Sequence, residues 1–179
     1  MLSLFKKKKL TEDKVANVFV NSIMDVVDSG WEDVAAIINS DPSFIENPGL
    51  NEDDSDKFLM IVIVANLKFL PKYFDREQEQ RLKLAINEKL AIAFAMDEEK
   101  LYKTIKDYGA FMARINHPSK NVLYSMSKAL YHKYQLNNYQ EPYFKSMNAP
   151  NPLLLKRLDE MMEMFIWDWD NFLDKYKVV

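Results

Sequence analysis

The chain has 179 residues and a formal net charge of −3, from 24 Lys and Arg against 27 Asp and Glu. That is the length of one domain, or of two very small ones, and the balance is too near neutral to mark a nucleic-acid binder. With no cysteine there is no disulfide framework, cysteine zinc site, iron–sulfur cluster or cysteine nucleophile, and Gly30, Gly49 and Gly109 alone cannot build a Walker loop, a dinucleotide fingerprint or a nucleophile elbow.

Abundant Lys, Glu, Leu, Met and Ala at 3.6-residue spacing points to helix. The first segment runs from about Thr11 to Asp28, with Thr11 as N-cap, Glu12 and Asp13 in the first turn, and Gly30 as its stop. A short second helix follows over about Trp31 to Asn39, ended by Asp41 and Pro42. Residues 41–54 read as a loop. The third segment, about 55–70, is apolar on nearly every side from Phe58 to Val64, which demands a central position; with no second strand for it to pair with, helix is preferred over strand.

The fourth segment opens on Asp75 and Gln78 at capping-box spacing and carries Leu82, Ile86, Leu90, Ala93 and Phe94 as its stripe. The fifth opens at Asp97, shows Leu101, Tyr102, Ile105, Tyr108, Met112 and Ile115, and ends before Pro118; the sixth begins at Ser119. Residues 136–150 read as a loop. Asn151 as N-cap and Pro152 as first helical residue open a seventh helix that the stripe carries from about 152 to 177. The expectation is therefore an all-α, single-domain bundle of about seven helices over residues 11–179, preceded by a basic, flexible segment over residues 1–10.

The apolar residues at the N-terminus precede the lysines, the reverse of a signal peptide, and the longest apolar run, Phe58 to Leu70, is far short of the roughly 20 residues that span a bilayer. Together with the absence of cysteine, this favours a cytoplasmic setting.

Charge is segregated along the chain. Residues 11–57 hold two lysines against twelve acids, whereas Lys100 to Lys145 holds eight basic residues against Asp107 and Glu141, with seven of the nine tyrosines. Lys100, Lys103, Arg114, Lys120, Lys128 and Lys133 thus form a candidate anionic-ligand surface on which tyrosines would offer stacking. The plainer account has the tyrosines packing and the lysines facing water. At the N-terminus, Leu4 and Phe5 followed by Lys6, Lys7, Lys8 and Lys9 would suit contact with an anionic membrane, against the acids that follow.

Metal binding finds little support. His117 and His132 fall in different segments, and neither belongs to a Glu-x-x-His pair. An EF-hand loop started at Asn51 fails at its glycine and glutamate positions, which are Asp56 and Val62, so these acids read as a helix N-terminus. Asp159 with Glu163, and Asp170 with Asp174, lie one turn apart and away from the apolar stripe, as on a solvated face. No catalytic residue, metal or cofactor is assigned.

On a continuous final helix, Trp167 falls about 165° from the stripe, among polar residues. A tryptophan there needs a cover, from the loop carrying Tyr139, Pro142, Tyr143 and Phe144 or from a partner. Trp167, Met164, Glu163 and Asn171 are therefore the candidate partner-binding residues. The reading is a non-catalytic protein-interaction module: an adaptor, regulator or inhibitor of a partner protein. A membrane- or nucleic-acid-associated factor, and an enzyme with a site assembled between helices, are the alternatives; self-association is compatible with all three.

Overall fold

A computed structural model describes residues 6–179. The fold is all-α, with one small addition. Helix α1 spans Glu12–Asn39, α2 Ser55–Leu67, α3 Leu70–Tyr73, α4 Arg76–Ala93 and α5 Glu98–Asn116. They are followed by α6 Val122–Lys133, α7 Pro142–Met147, α8 Pro152–Met162 and α9 Trp169–Lys175. The caps are those the sequence announces: Thr11, Asp75, Asp97 and Asn151 each accept a first-turn backbone N–H.

The apolar α2 is central. It packs against α1, α5 and α6, and Phe58, Ile61, Val62 and Ile63 are wholly buried. Its N-terminus is held by Tyr134, whose hydroxyl donates to the Asp54 carbonyl and accepts from the Phe58 N–H. The preceding loop is tied down as well. Asp41, buried, takes a two-pronged ion pair from Arg157 of α8 at 2.6 and 2.7 Å.

Three expected boundaries differ. The stretch 136–150, expected as a loop, holds a three-ten turn at Leu136–Tyr139 and the short helix α7. The helices expected on either side of Gly30 are one helix, α1, of 28 residues. Gly30 does not end it. Instead it lets Phe165 reach the helix: an added Cβ would lie 2.8 Å from the ring of that side chain.

The helix expected over 152–177 is interrupted. After α8, Glu163–Phe165 makes a single three-ten turn, and residues 166–168 leave the helix before α9 begins. The cause lies about a hundred residues upstream. Asn66 of α2, fully buried, donates its Nδ2 to the Phe165 carbonyl at 2.8 Å and accepts the Trp167 N–H on Oδ1 at 2.8 Å. It thereby satisfies two backbone groups that the break would leave unpaired.

The first and last described strands are joined. Strand β1, Lys8–Leu10, pairs in parallel with β2, Tyr176–Val178, and the Lys7 ammonium donates to the Leu173 carbonyl at 2.6 Å. Lys8 to Leu10 are therefore part of the fold rather than of a flexible arm.

Candidate functional site

The break at 163–168 removes the geometry on which the Trp167 argument stood. Trp167 is not on a helix. Its ring lies 5.1 Å from Phe19, 4.4 Å from Trp169 and 4.9 Å from Phe172, part of an aromatic cluster that includes Phe74. The indole is half-buried by its own chain, against aromatic rings of α1 and α9. Around it Glu163 and Asn171 are exposed, and Met164 keeps 66% of its surface in water.

The six basic residues of the candidate anion surface do not form one patch. Lys133 lies over the rings of Tyr108 (4.3 Å) and Phe111 (4.5 Å), Lys128 over Tyr124 (4.2 Å), and Arg114 over Phe111 (5.6 Å). These aromatic faces already hold a cation from their own fold, so a nucleobase would have to displace it. The interleaving of charge and ring is satisfied internally on α5 and α6. Lys100 and Lys103 stand near the start of α5, about 21 and 17 Å along the helix from Arg114 at 1.5 Å per residue, and Lys120 follows the helix. Of the candidate membrane contact, Leu4 and Phe5 lie outside the described residues, and Lys8 and Lys9 are in β1.

Asp159 is not on a solvated face. Its Oδ1 accepts from the Ser127 hydroxyl at 2.5 Å, and burial raises its pKa against the lowering pull of that bond and of Lys128. His132 packs edge-on against Phe111 and Tyr131, and burial, with Lys128 nearby, lowers its pKa. No group of three or more His, Asp or Glu among the described residues could hold a metal ion, and no helix among them is long and apolar enough to cross a membrane.

A different feature stands out. The C-terminal half of α2 and the facing sides of α4 and α5 enclose a groove of about 500 Å³. Its walls are Val64, Leu67, Ile86 and Ile105, and its lip carries Leu84 and Tyr102, which are 67% and 56% exposed. The groove is open where α5 passes it because Gly109 has no side chain: an added Cβ would meet only Val64, at 3.8 Å. Three lysines line it, Lys68, Lys83 and Lys106, and no carboxylate does. Lys83 pairs with Glu79 at 2.5 Å, while Lys68 and Lys106 have no ion pair among the described residues.

Lys68 caps the end of α2, and the surrounding protein depresses its pKa below the ordinary lysine value. One polar group beside the groove is buried and unsatisfied. Asn87, 9% exposed, donates to the Glu98 carbonyl at 3.1 Å, but its Oδ1 has no partner.

The sequence reading missed this groove, although a signal existed. Leu84 lies about 160° around α4 from Ile86 at 100° per residue, the same anomaly that drew attention to Trp167. Here the structure leaves the side chain uncovered. In comparisons with family models, with curated proteins and with solved structures, no match to the chain is found.

Proposed function

We propose that this chain is a non-catalytic protein-interaction module, in a cytoplasmic setting, that holds an acidic amphipathic segment of a partner protein in the groove between α2, α4 and α5. The observation that carries this reading is the lining itself. Apolar walls and an exposed leucine and tyrosine are rimmed by three lysines, of which Lys68 and Lys106 have no ion pair among the described residues. Apolar side chains of the partner would bury against Val64, Leu67 and Ile105, and its acids would meet Lys68 and Lys106. Charge of this kind chooses the partner and its orientation more than it adds affinity.

The test is selection from a random peptide library displayed against the folded protein, followed by mapping of the enriched peptide by amide chemical shifts. The expected peptides alternate Leu, Ile or Phe with Asp or Glu, and shift the signals of Val64, Ile105 and Gly109. Gly109→Leu, which fills an open stretch of helix surface without forcing the backbone, abolishes their binding. Peptides without acids, or a footprint centred on Trp167 and Met164, would overturn the proposal.

A further inference from the structure

The groove calls for an acidic apolar segment, and the chain carries one elsewhere on its own surface. No Lys or Arg occurs between residues 15 and 56, a stretch with ten Asp and Glu. Within it Ile45 is 61% exposed, more than any other large apolar side chain of that stretch. Glu46 beside it is exposed and has no ion pair among the described residues. An exposed isoleucine followed by an acid complements the apolar Val64, Leu67 and Ile105 and the unpaired Lys68 and Lys106.

The loop that presents Ile45 is braced. Asp41 is anchored by Arg157, and the Ser43 N–H donates to Asp41 Oδ1 at 2.8 Å. Phe44 bridges to Gln140, and the Ile45 N–H donates to the Tyr139 carbonyl at 2.9 Å. Further along, the Asn39 side chain holds both backbone groups of Leu50, donating to the carbonyl at 2.7 Å and accepting the N–H at 2.8 Å. A segment fixed at both ends loses little freedom when it docks.

Loop and groove stand at opposite ends of α2. Tyr134, which holds the N-terminus of α2, leads directly into the turn whose Tyr139 carbonyl receives Ile45. The groove lies along the C-terminal half, and Asp54 and Lys68 are separated by about 21 Å of helix at 1.5 Å per residue. The loop is thus held at the far end of α2 from its own groove, and contact between the two takes a second copy. Such a contact is heterologous: each chain offers its loop to one neighbour and its groove to another, and the assembly grows unless it closes into a ring.

We infer that the groove between α2, α4 and α5 receives the 45–50 loop of a second copy of this chain, with Ile45 burying against Val64, Leu67 and Ile105, and Glu46 meeting Lys68 and Lys106. The inference rests on the docking reading and names a partner for the same groove, so that the loop and a foreign acidic segment compete for one place.

Sedimentation velocity of the full chain over a range of concentrations tests this with a loop variant, Ile45→Asp, and two groove variants, Gly109→Leu and Lys106→Glu. All three substitutions fall outside the core, and circular dichroism checks that each variant is folded. The mean mass of the wild type is expected to climb with concentration at low salt and to fall back as salt is added. Each variant alone stays a single chain. Mixing Ile45→Asp, whose groove is intact, with Gly109→Leu, whose loop is intact, restores association and stops it at two chains, because the pair has one usable loop and one usable groove.

A wild type that remains a single chain up to about 1 mM overturns the inference. So does association that survives Ile45→Asp, through Met164 or another exposed apolar side chain, and so does a mixture that fails to associate. Peptide binding is read separately on Ile45→Asp. If that variant binds the library-selected acidic peptide while the wild type stays single, the docking reading stands and this inference falls. If it binds no peptide while the mixing pattern holds, the second copy is the groove's occupant and the foreign partner falls.

Discussion

Gly30 and Gly109 both lie inside helices, and adding one methyl group to each separates two physical effects. In both places alanine lowers the entropy lost on folding, a gain of about 0.5–1 kcal/mol in a helix interior. At Gly109 nothing opposes the gain, because the new Cβ makes an ordinary contact with Val64 at 3.8 Å. At Gly30 the new Cβ lies 2.8 and 2.9 Å from two atoms of the Phe165 ring.

That ring cannot swing away. It is 2% exposed and stands edge-on to Phe58 at 4.8 Å. Overpacking of this kind costs about 1–3 kcal/mol, so the net effect of Gly30→Ala is a loss of about 1–2 kcal/mol. Urea unfolding followed by circular dichroism measures both variants against the wild type. The expected order of midpoints is Gly109→Ala, wild type, Gly30→Ala. Equal stabilisation by the two substitutions would refute the reasoning, because it would mean that Phe165 does not pack into α1 and that the break after α8 is misplaced.

Other expectations follow from the same contacts. Asn66→Leu keeps the volume but leaves the Phe165 carbonyl and the Trp167 N–H buried without partners; a loss of about 2–4 kcal/mol in urea unfolding is expected, with large shifts of the Trp167 amide signal. Asp41 is opposed by burial, but the Arg157 guanidinium and the Ser43 N–H and hydroxyl outweigh this and hold its pKa below the ordinary 3.8. Its contribution is complete above that ordinary value and is lost as the pH falls through the depressed folded-state value; Arg157→Met removes this acid dependence and lowers stability by about 1–3 kcal/mol at pH 7 in urea titrations. Asp159 behaves oppositely, since burial raises its pKa. Asp159→Asn is therefore expected to raise the thermal midpoint at pH 7, and the gap to the wild type closes as the pH falls through the raised value toward 3.8.

The sequence carried the fold class and the helix starts because both are local. Thr11, Asp75, Asp97 and Asn151 cap their own first turns, and the all-round apolar character of Phe58 to Val64 puts α2 at the centre wherever its neighbours lie. What was not legible depends on partners distant in sequence. Gly30 reads as a stop until Phe165 arrives against it. The stripe from Leu155 to Tyr176 reads as one helix until Asn66 offers its amide to the backbone at 165 and 167, and that turn takes Trp167 from a presumed polar face into a cluster with Phe19.

The groove was hidden for the same reason. Leu84, Tyr102 and Lys68 belong to three different helical segments, and only packing brings them together. The Gly109 opening is invisible in a sequence, where a helix-interior glycine is simply a weak helix former.

Placing a benzoyl-phenylalanine photo-crosslinker at position 102 or at position 164, and irradiating each protein with the same library-selected acidic peptide, tests the docking site most directly. The account predicts a crosslink from 102, on the lip of the groove, that Gly109→Leu abolishes, and none from 164. A crosslink from 164 with none from 102 would contradict it and return the binding surface to the neighbourhood of Trp167.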